Sequence, residues 1–474
     1  MTDEVISIKK HHTPLGVYIS KQDLLDVLGA TIKQDNTNKM ILFLGCLLNY
    51  TFEDQQNFAF NAPSSTGKSY LALQVSQFFP DEDTLILGYC SPTSFIHDFG
   101  EMTREDGSPL ETQAEYVEAA LEQWYKENPK PQPKQGVTAW NEARRLFVSK
   151  TKDEWDEIPK LYVVDLEQKI IVFTDQPHMK LLERLRGLLS HDKKELQYNI
   201  TDRSKDGKNR TKRVLLKGYP TVIFNTAAFT LEEQEQTRLW LLSPEISQDK
   251  LRESLTLITE KDTDRRAFTQ SLYEDKRRFQ LRFHVQGLKE AYVQQVTISE
   301  DDKEYIRARF MEEHPVFKPR HQRDLPRLIA LCKAFALFHY NRREMTENRD
   351  LIATNEDVLN GYELYSKIGE SNEMGLSPQT YELYKEKIEP VLDAGGYMTR
   401  RELSRLYFQK YKTRLGEKTR SKMISLLCET GLAVEELHPE DKRQKVIYSP
   451  EGVCENFIKD EDGKGQKKLE EASP

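Results

Sequence analysis

The order of apolar and polar positions predicts short strands alternating with helices, then a long helical stretch and a small terminal module. Residues 21–50 read as helix: Leu24, Leu25, Val27, Leu28 and Ile32 recur at helical spacing, and Met40 to Leu48 is a second apolar stretch. Phe58-Ala59-Phe60 predicts a strand, Pro63 to Gly67 a turn, and Lys68 to Phe79 a helix. Further strands are expected at Thr84–Leu87, Leu161–Val164, Lys169–Phe173 and Thr221–Phe224, the rhythm of an α/β protein with a parallel sheet. Residues 102–158 break that rhythm with charged, helix-like sequence around the linker PKPQPKQG, and read as an insertion. From Leu251 to Ile368 the pattern is helical, which predicts a lid or bundle. Residues 376–450 predict three helices and two strand-like runs, the order of a winged helix-turn-helix.

The expected layout is an amino-terminal helical segment over 1–50, an α/β core over 51–260, a helical lid over 261–375 and the winged helix over 376–450. The polar, charged tail 451–474 is expected to be disordered.

The sharpest chemical signal lies at the first strand-to-helix turn. Ala62-Pro63-Ser64-Ser65-Thr66-Gly67-Lys68-Ser69 fits the phosphate-loop pattern G-x-x-x-x-G-K-[ST] at every fixed place but the first, where Ala62 replaces Gly. Backbone N–H groups of such a loop and of the helix start converge on phosphates, and Gly67 allows close approach. Lys68 is positioned to reach the β- and γ-phosphates and the Ser69 hydroxyl to bind Mg²⁺, so ATP and Mg²⁺ are the expected cofactors.

Hydrolysis also needs a carboxylate at the end of a neighbouring apolar strand. The run from Lys169 to Phe173 ends in Thr174-Asp175-Gln176, where Asp-Glu is usual. Either Thr174 takes the first slot and Asp175 acts as general base, or Asp175 serves the metal and Gln176 stands where Glu is expected. His178 is a γ-phosphate contact or a turn cap. Asn225, ending the strand Thr221–Phe224, orients the attacking water if that strand lies beside the phosphate-loop strand; otherwise it is an ordinary turn residue.

These residues resemble the AAA+ superfamily of P-loop ATPases, and within it the MCM-like and superfamily-three replicative helicases of mobile genetic elements. The specific likeness is a presensor hairpin over 193–217: strand runs Glu195–Thr201 and Val214–Lys217 joined by the polar turn Asp202–Arg210 with Gly207. In those helicases a hairpin at this place enters the channel of a hexameric ring and grips DNA. Nine Lys/Arg stand against three Asp/Glu from Lys193 to Lys217, with Arg203, Lys205, Lys208, Arg210, Lys212 and Arg213 at or near the tip, suited to a phosphate backbone. The resemblance implies that Arg238 is the finger reaching a neighbouring subunit's γ-phosphate and that Arg323 is the lid arginine at the nucleotide. It does not extend to the MCM amino-terminal OB domain or zinc module.

In the winged helix, Arg400 to Lys422 carries nine Lys/Arg and two Asp/Glu. Lys418, Arg420 and Lys422 on the third helix are the candidates for a DNA groove, with Lys442, Arg443 and Lys445 of the wing meeting phosphate.

Composition removes other classes. The chain of 474 residues carries a formal charge of -8, so positive charge matters only where it clusters. Five scattered cysteines exclude a disulfide lattice, and His11-His12 has no companion ligands, so no structural metal is expected. No apolar run approaches the roughly 20 residues of a membrane span, and the amino terminus shows no leader pattern, so a soluble cytoplasmic protein is expected. Together these readings predict an ATP-dependent DNA helicase or translocase, forming a hexamer on single-stranded or forked DNA with primase or other replication proteins as partners. The alternatives are an ATP-switched initiator or helicase/primase loader that does not unwind, and a nucleotide-sensing winged-helix regulator.

Overall fold

The computed structural model describes residues 18–450 apart from residues 64, 89, 92–94, 96–99, 132–136, 176, 204–208, 227–237, 395 and 439–440; for residues 179, 200–203, 209–212 and 226 it describes the backbone alone. The tail 451–474 and the first 17 residues therefore lie outside the described residues. The chain divides into two compact units, residues 1–89, 168–177 and 220–474 forming the first and residues 90–167 and 178–219 the second.

The first unit is built on a five-stranded parallel sheet in the order Thr84–Leu87, Ile170–Phe173, Thr221–Thr226, Phe58–Asn61, Trp240–Leu242. Phe58–Asn61 and Ile170–Phe173 are buried along their whole length, as strands of a parallel sheet covered on both faces must be. The strand Trp240–Leu242 was not foreseen, because three apolar residues carry no alternation. Helices Lys21–Gly29, Asn36–Leu47 and Lys68–Ser76 share one hydrophobic core with the sheet and with the helices from Lys276 to Ser366. The stretch expected as a lid is thus continuous with the core, its helix His321–Phe338 packing on Asn36–Leu47 and on Asn355–Ser366. Gly45 makes this packing possible: a Cβ there would stand 2.1 Å from the Phe58 ring, so only glycine lets the helix cross the strand that feeds the phosphate loop. Two short parallel strands, Gln295–Thr297 and Asp350–Ile352, interrupt the helical region.

Within this helical layer His284 is 3 % exposed, its Nε2 2.7 Å from the Phe338 carbonyl oxygen. Burial pushes its pKa down to about 4 from an ordinary 6.5. The folded state holds the neutral ring, so its contribution is complete above pH 6.5 and is lost as pH falls toward 4, by on the order of 3 kcal/mol. His284→Gln keeps a donor for Phe338 without titrating. Melting midpoints are expected to fall more steeply for wild type than for this variant between pH 6.5 and 4; parallel curves would show that His284 does not govern acid lability.

The last part of this unit runs helix, strand, helix, helix, strand, strand. Met398–Thr399, Val434–Leu437 and Lys445–Tyr448 form a three-stranded antiparallel sheet, beside helices Arg400–Tyr411 and Glu417–Glu429. The helix expected over Pro378–Leu392 is divided into Pro378–Leu383 and Glu389–Asp393 by a π-helical stretch, Tyr384–Ile388, before Pro390.

The second unit corrects two expectations. Strand Lys160–Asp165 does not join the core sheet; it belongs to a four-stranded sheet in the order Glu101–Arg104, Lys160–Asp165, Asn209–Lys217, Glu195–Arg203. The presumed insertion and the presensor hairpin are therefore parts of one folded body. An apolar run such as Leu161–Val164 announces a strand but not its partner, and that choice is made by pairing with Arg213–Lys217, some fifty residues on. Helices Gln113–Glu127 and Val137–Glu157 pair through Trp124, Tyr125, Trp140 and Phe147, with ring centroids 5.5–5.9 Å apart. Among the described residues no helix is long and apolar enough to cross a membrane.

Candidate functional site

The sheet brings the expected site residues to the carboxyl ends of three adjacent strands. Phe60 lies opposite Asn225, and Phe224 opposite Phe173, so Thr174 and Asn225 follow the same level of the sheet. The phosphate-loop strand and the strand leading to Asp175 are separated by the one that carries Asn225.

The loop itself is tightly wound. Ser65 has φ +65° and Gly67 φ +89°, the left-handed region where glycine costs least, and Gly67 is the residue immediately before helix Lys68–Ser76. Thr66 Oγ1 donates to the Pro63 carbonyl at 3.0 Å, and Leu71 N–H closes the first helical turn onto Gly67 O at 2.9 Å. Lys68 Nζ donates to the carbonyls of Ala62 and Pro63 at 2.6 and 2.7 Å. Burial holds its pKa below the ordinary lysine value. The ammonium is thus folded over the loop, at the start of a helix whose first N–H groups have no partner within the helix and suit an anion. Ser64 lies outside the described residues.

Ser69 Oγ donates to the Thr174 carbonyl at 3.3 Å, while Thr174 N–H and Oγ1 both donate to Leu87 O at 2.8 and 3.2 Å. Thr174 is therefore the strand-end residue facing the Ser69 hydroxyl, and Asp175, exposed, is the next one along. Gln176, the rival for the carboxylate's place, lies outside the described residues. Asn225 Nδ2 donates to Phe173 O at 2.8 Å, and its buried Oδ1 has no partner among the described residues. His178 is a cap: its Nδ1 accepts the Lys180 N–H at 3.1 Å at the start of helix Met179–Leu189.

The two arginines are not brought to this loop within the chain. Arg238 is half-buried two residues before Trp240, which pairs with Phe58, so it stands at the end of the sheet opposite the phosphate loop. Arg323 is exposed on the first turn of helix His321–Phe338, while Arg327 of the same helix is buried against Asp324 and the Leu239 carbonyl.

The basic candidates divide. Lys418 and Lys422 are exposed on one face of helix Glu417–Glu429, but Arg420 lies on another and donates to Ser404 Oγ at 3.1 Å, which removes it from a shared DNA-facing set. Several charges counted as basic excess already have acids beside them: Arg400 and Lys445 share Glu435, and Lys410 meets Glu382 and Glu386. On the hairpin, Arg213 pairs with Glu105. Lys205 and Lys208, and the side chains of Arg203, Arg210 and Lys212, lie outside the described residues.

Sequence reasoning missed a second wall beside the loop. Gln379, Tyr407, Tyr411, Thr419 and Met423, from the module at 376–450, line a space shared with Asn61, Ala62 and Pro63. More than three hundred residues separate the two walls, and no local pattern announces such a contact.

No family model matches the chain, and no curated protein does. Among solved structures, it is similar to the Aeropyrum pernix ORC1 protein in complex with DNA at 15% identity, over 92% of this chain and 96% of that one, with a TM-score of 0.19. It is also similar to Drosophila ORC bound to DNA at 11% identity, over 95% and 96% of the two chains, with a TM-score of 0.17. TM-scores this low carry no argument about fold or activity.

Proposed function

We propose that this protein is an ATP-hydrolysing switch that acts on DNA, an initiator or a helicase/primase loader of the AAA+ type. The observation that carries the reading is the phosphate loop at the strand ends, with Ser69 facing Thr174 and a single carboxylate, Asp175, beyond it. The loop's left-handed Gly67, the helix start and Lys68 fit a triphosphate. Mg²⁺ fits less completely, since the hydroxyl of Ser69 has a carbonyl beside it where a second carboxylate is usual.

In this reading Lys68 binds the β- and γ-phosphates and Ser69 the metal. Asp175 takes the proton of the attacking water, which Asn225 orients through its Oδ1, unpaired among the described residues. Arg238, at the far end of the sheet, and Arg323, exposed at the start of helix His321–Phe338, serve the nucleotide of a neighbouring copy rather than their own. Metal held without a first-slot carboxylate favours slow turnover, and slow turnover suits a timer better than a motor. Lys418 and Lys422 supply the phosphate-backbone contacts of the winged helix, and binding through them weakens as salt rises.

A motor is the second reading, favoured by the paired nine-residue strands Glu195–Arg203 and Asn209–Lys217 that carry the basic turn. Forked DNA separates the two. With ATP and purified protein, the switch is expected to change its affinity for the fork while leaving the strands annealed, at a turnover well under one per second. ATP-dependent strand separation that disappears in Lys68→Ala would establish the motor instead.

A further inference from the structure

A partly open cavity of about 170 Å³ lies where the phosphate-loop strand ends. One wall is Asn61, Ala62 and Pro63, the residues that lead into the loop. The other comes from three helices of the module at 376–450: Gln379 from the first, Tyr407 and Tyr411 from the second, Thr419 and Met423 from the third. The space is several times that of one water molecule, about 30 Å³.

Two buried polar atoms on these walls have no hydrogen-bond partner among the described residues. Asn61 is 7 % exposed and its Oδ1 has none; Gln379 is 9 % exposed and its Nε2 has none. Buried polar groups are rarely left this way, because each then loses its bond to water and gains nothing. One atom accepts and the other donates, which matches the Watson–Crick edge of any nucleobase, an N–H donor beside an acceptor; the volume of the cavity, and not this pair, favours a two-ring purine over a pyrimidine. Tyr407 and Tyr411 give the cavity an aromatic side, their rings packed against each other at a tilt with centroids 4.9 Å apart, and Tyr411 Oη donates to the Gln379 backbone carbonyl at 2.8 Å, fixing the residue that carries the free donor.

We infer that this cavity holds the purine base of the nucleotide whose phosphates the loop at residues 62–69 binds, an inference that rests on reading that loop as the ATP site. The consequence reaches the third helix of the module. Thr419 and Met423 face the cavity while Lys418 and Lys422 are exposed on the same helix. A base bridging Asn61 to Gln379 and packed against Thr419 and Met423 ties the module, its third helix included, to the phosphate loop, so nucleotide occupancy fixes the position of the two lysines that meet DNA.

Binding of ATP, CTP and inorganic tripolyphosphate to the full chain tests this. Wild type is expected to bind ATP at least tenfold more tightly than CTP or tripolyphosphate. Gln379→Met and Asn61→Leu, near in size and lacking the free atom, are each expected to weaken ATP roughly tenfold, one hydrogen bond's worth, and to leave tripolyphosphate unchanged. Lys68→Ala weakens all three ligands. If wild type binds the three equally well, with all three dependent on Lys68, the base subsite is overturned and the phosphate-loop reading stands. If none binds in a Lys68-dependent manner, the loop reading fails and the base subsite with it. The wild-type comparison needs no variant to fold.

Discussion

Lys68→Ala is expected to lower ATP turnover by roughly a hundredfold or more, the scale seen when one charged or hydrogen-bonding group is taken from a reacting oxyanion in a dry site. The structure gives two reasons for so large an effect. The Lys68 ammonium is half-buried, and burial already lowers its pKa, so its charge is poorly screened and acts strongly on a phosphate that enters. It also bonds the Ala62 and Pro63 carbonyls at 2.6 and 2.7 Å, which makes it part of the loop's own architecture before any ligand arrives. Lys68→Arg is not expected to rescue activity, because a planar guanidinium cannot place a compact charge among the same carbonyls. Steady-state hydrolysis with a melting curve for each variant checks this. A Lys68→Ala protein that melts like wild type and still hydrolyses ATP at the wild-type rate would remove the loop from the mechanism.

How much of this was legible in the sequence depends on the distance over which each feature is decided. The phosphate loop is local: eight consecutive residues carry the turn, the left-handed glycine, the helix start and the ammonium, and the structure places all that it describes of them together. Asn225 was legible conditionally, since its strand announced itself but its neighbour did not, and only the order of the sheet places it between the loop strand and Asp175. Lys160–Asp165 shows the opposite case. Its apolar pattern is indistinguishable from that of a core strand, yet it pairs with Asn209–Lys217 and helps build a separate body, because strand pairing depends on residues far away in the chain. Net charge misled in the same way. A count from Arg400 to Lys422 cannot see that Arg400 and Lys410 have carboxylates beside them or that Arg420 turns to Ser404. The cavity wall contributed by Gln379 and Tyr407 was invisible for the plainest reason: only folding brings residue 62 to residue 419.

The second large effect separates the two frames left open by Thr174-Asp175-Gln176. If Thr174 holds the first slot, as its carbonyl's contact with Ser69 Oγ supports, Asp175 is the base, and Asp175→Asn is expected to lower the turnover number by roughly a hundred- to a thousandfold, within the range general-base catalysis supplies with water orientation added. ATP and Mg²⁺ affinities should change little, because the lost carboxylate acts on the water and not on the ground-state complex. Thr174→Asp is then the gain-of-function partner. It keeps the backbone bond to Leu87 O at 2.8 Å and gives up the hydroxyl bond at 3.2 Å, while adding a carboxylate to the strand-end residue whose backbone carbonyl meets the Ser69 hydroxyl. Tighter Mg²⁺ dependence and turnover raised by about tenfold are expected, the value of a modest electrostatic gain in a partly screened site. The other frame predicts a different pattern. With Asp175 on the metal, Asp175→Asn would weaken Mg²⁺-dependent ATP binding as much as turnover, Thr174→Asp would crowd a second charge onto the site without benefit, and Gln176→Glu would be the substitution that accelerates hydrolysis. Because one frame moves turnover alone and the other moves binding with it, Mg²⁺ titrations of ATP binding and hydrolysis in these three variants assign the base. The same titrations decide whether a threonine at position 174 slows hydrolysis.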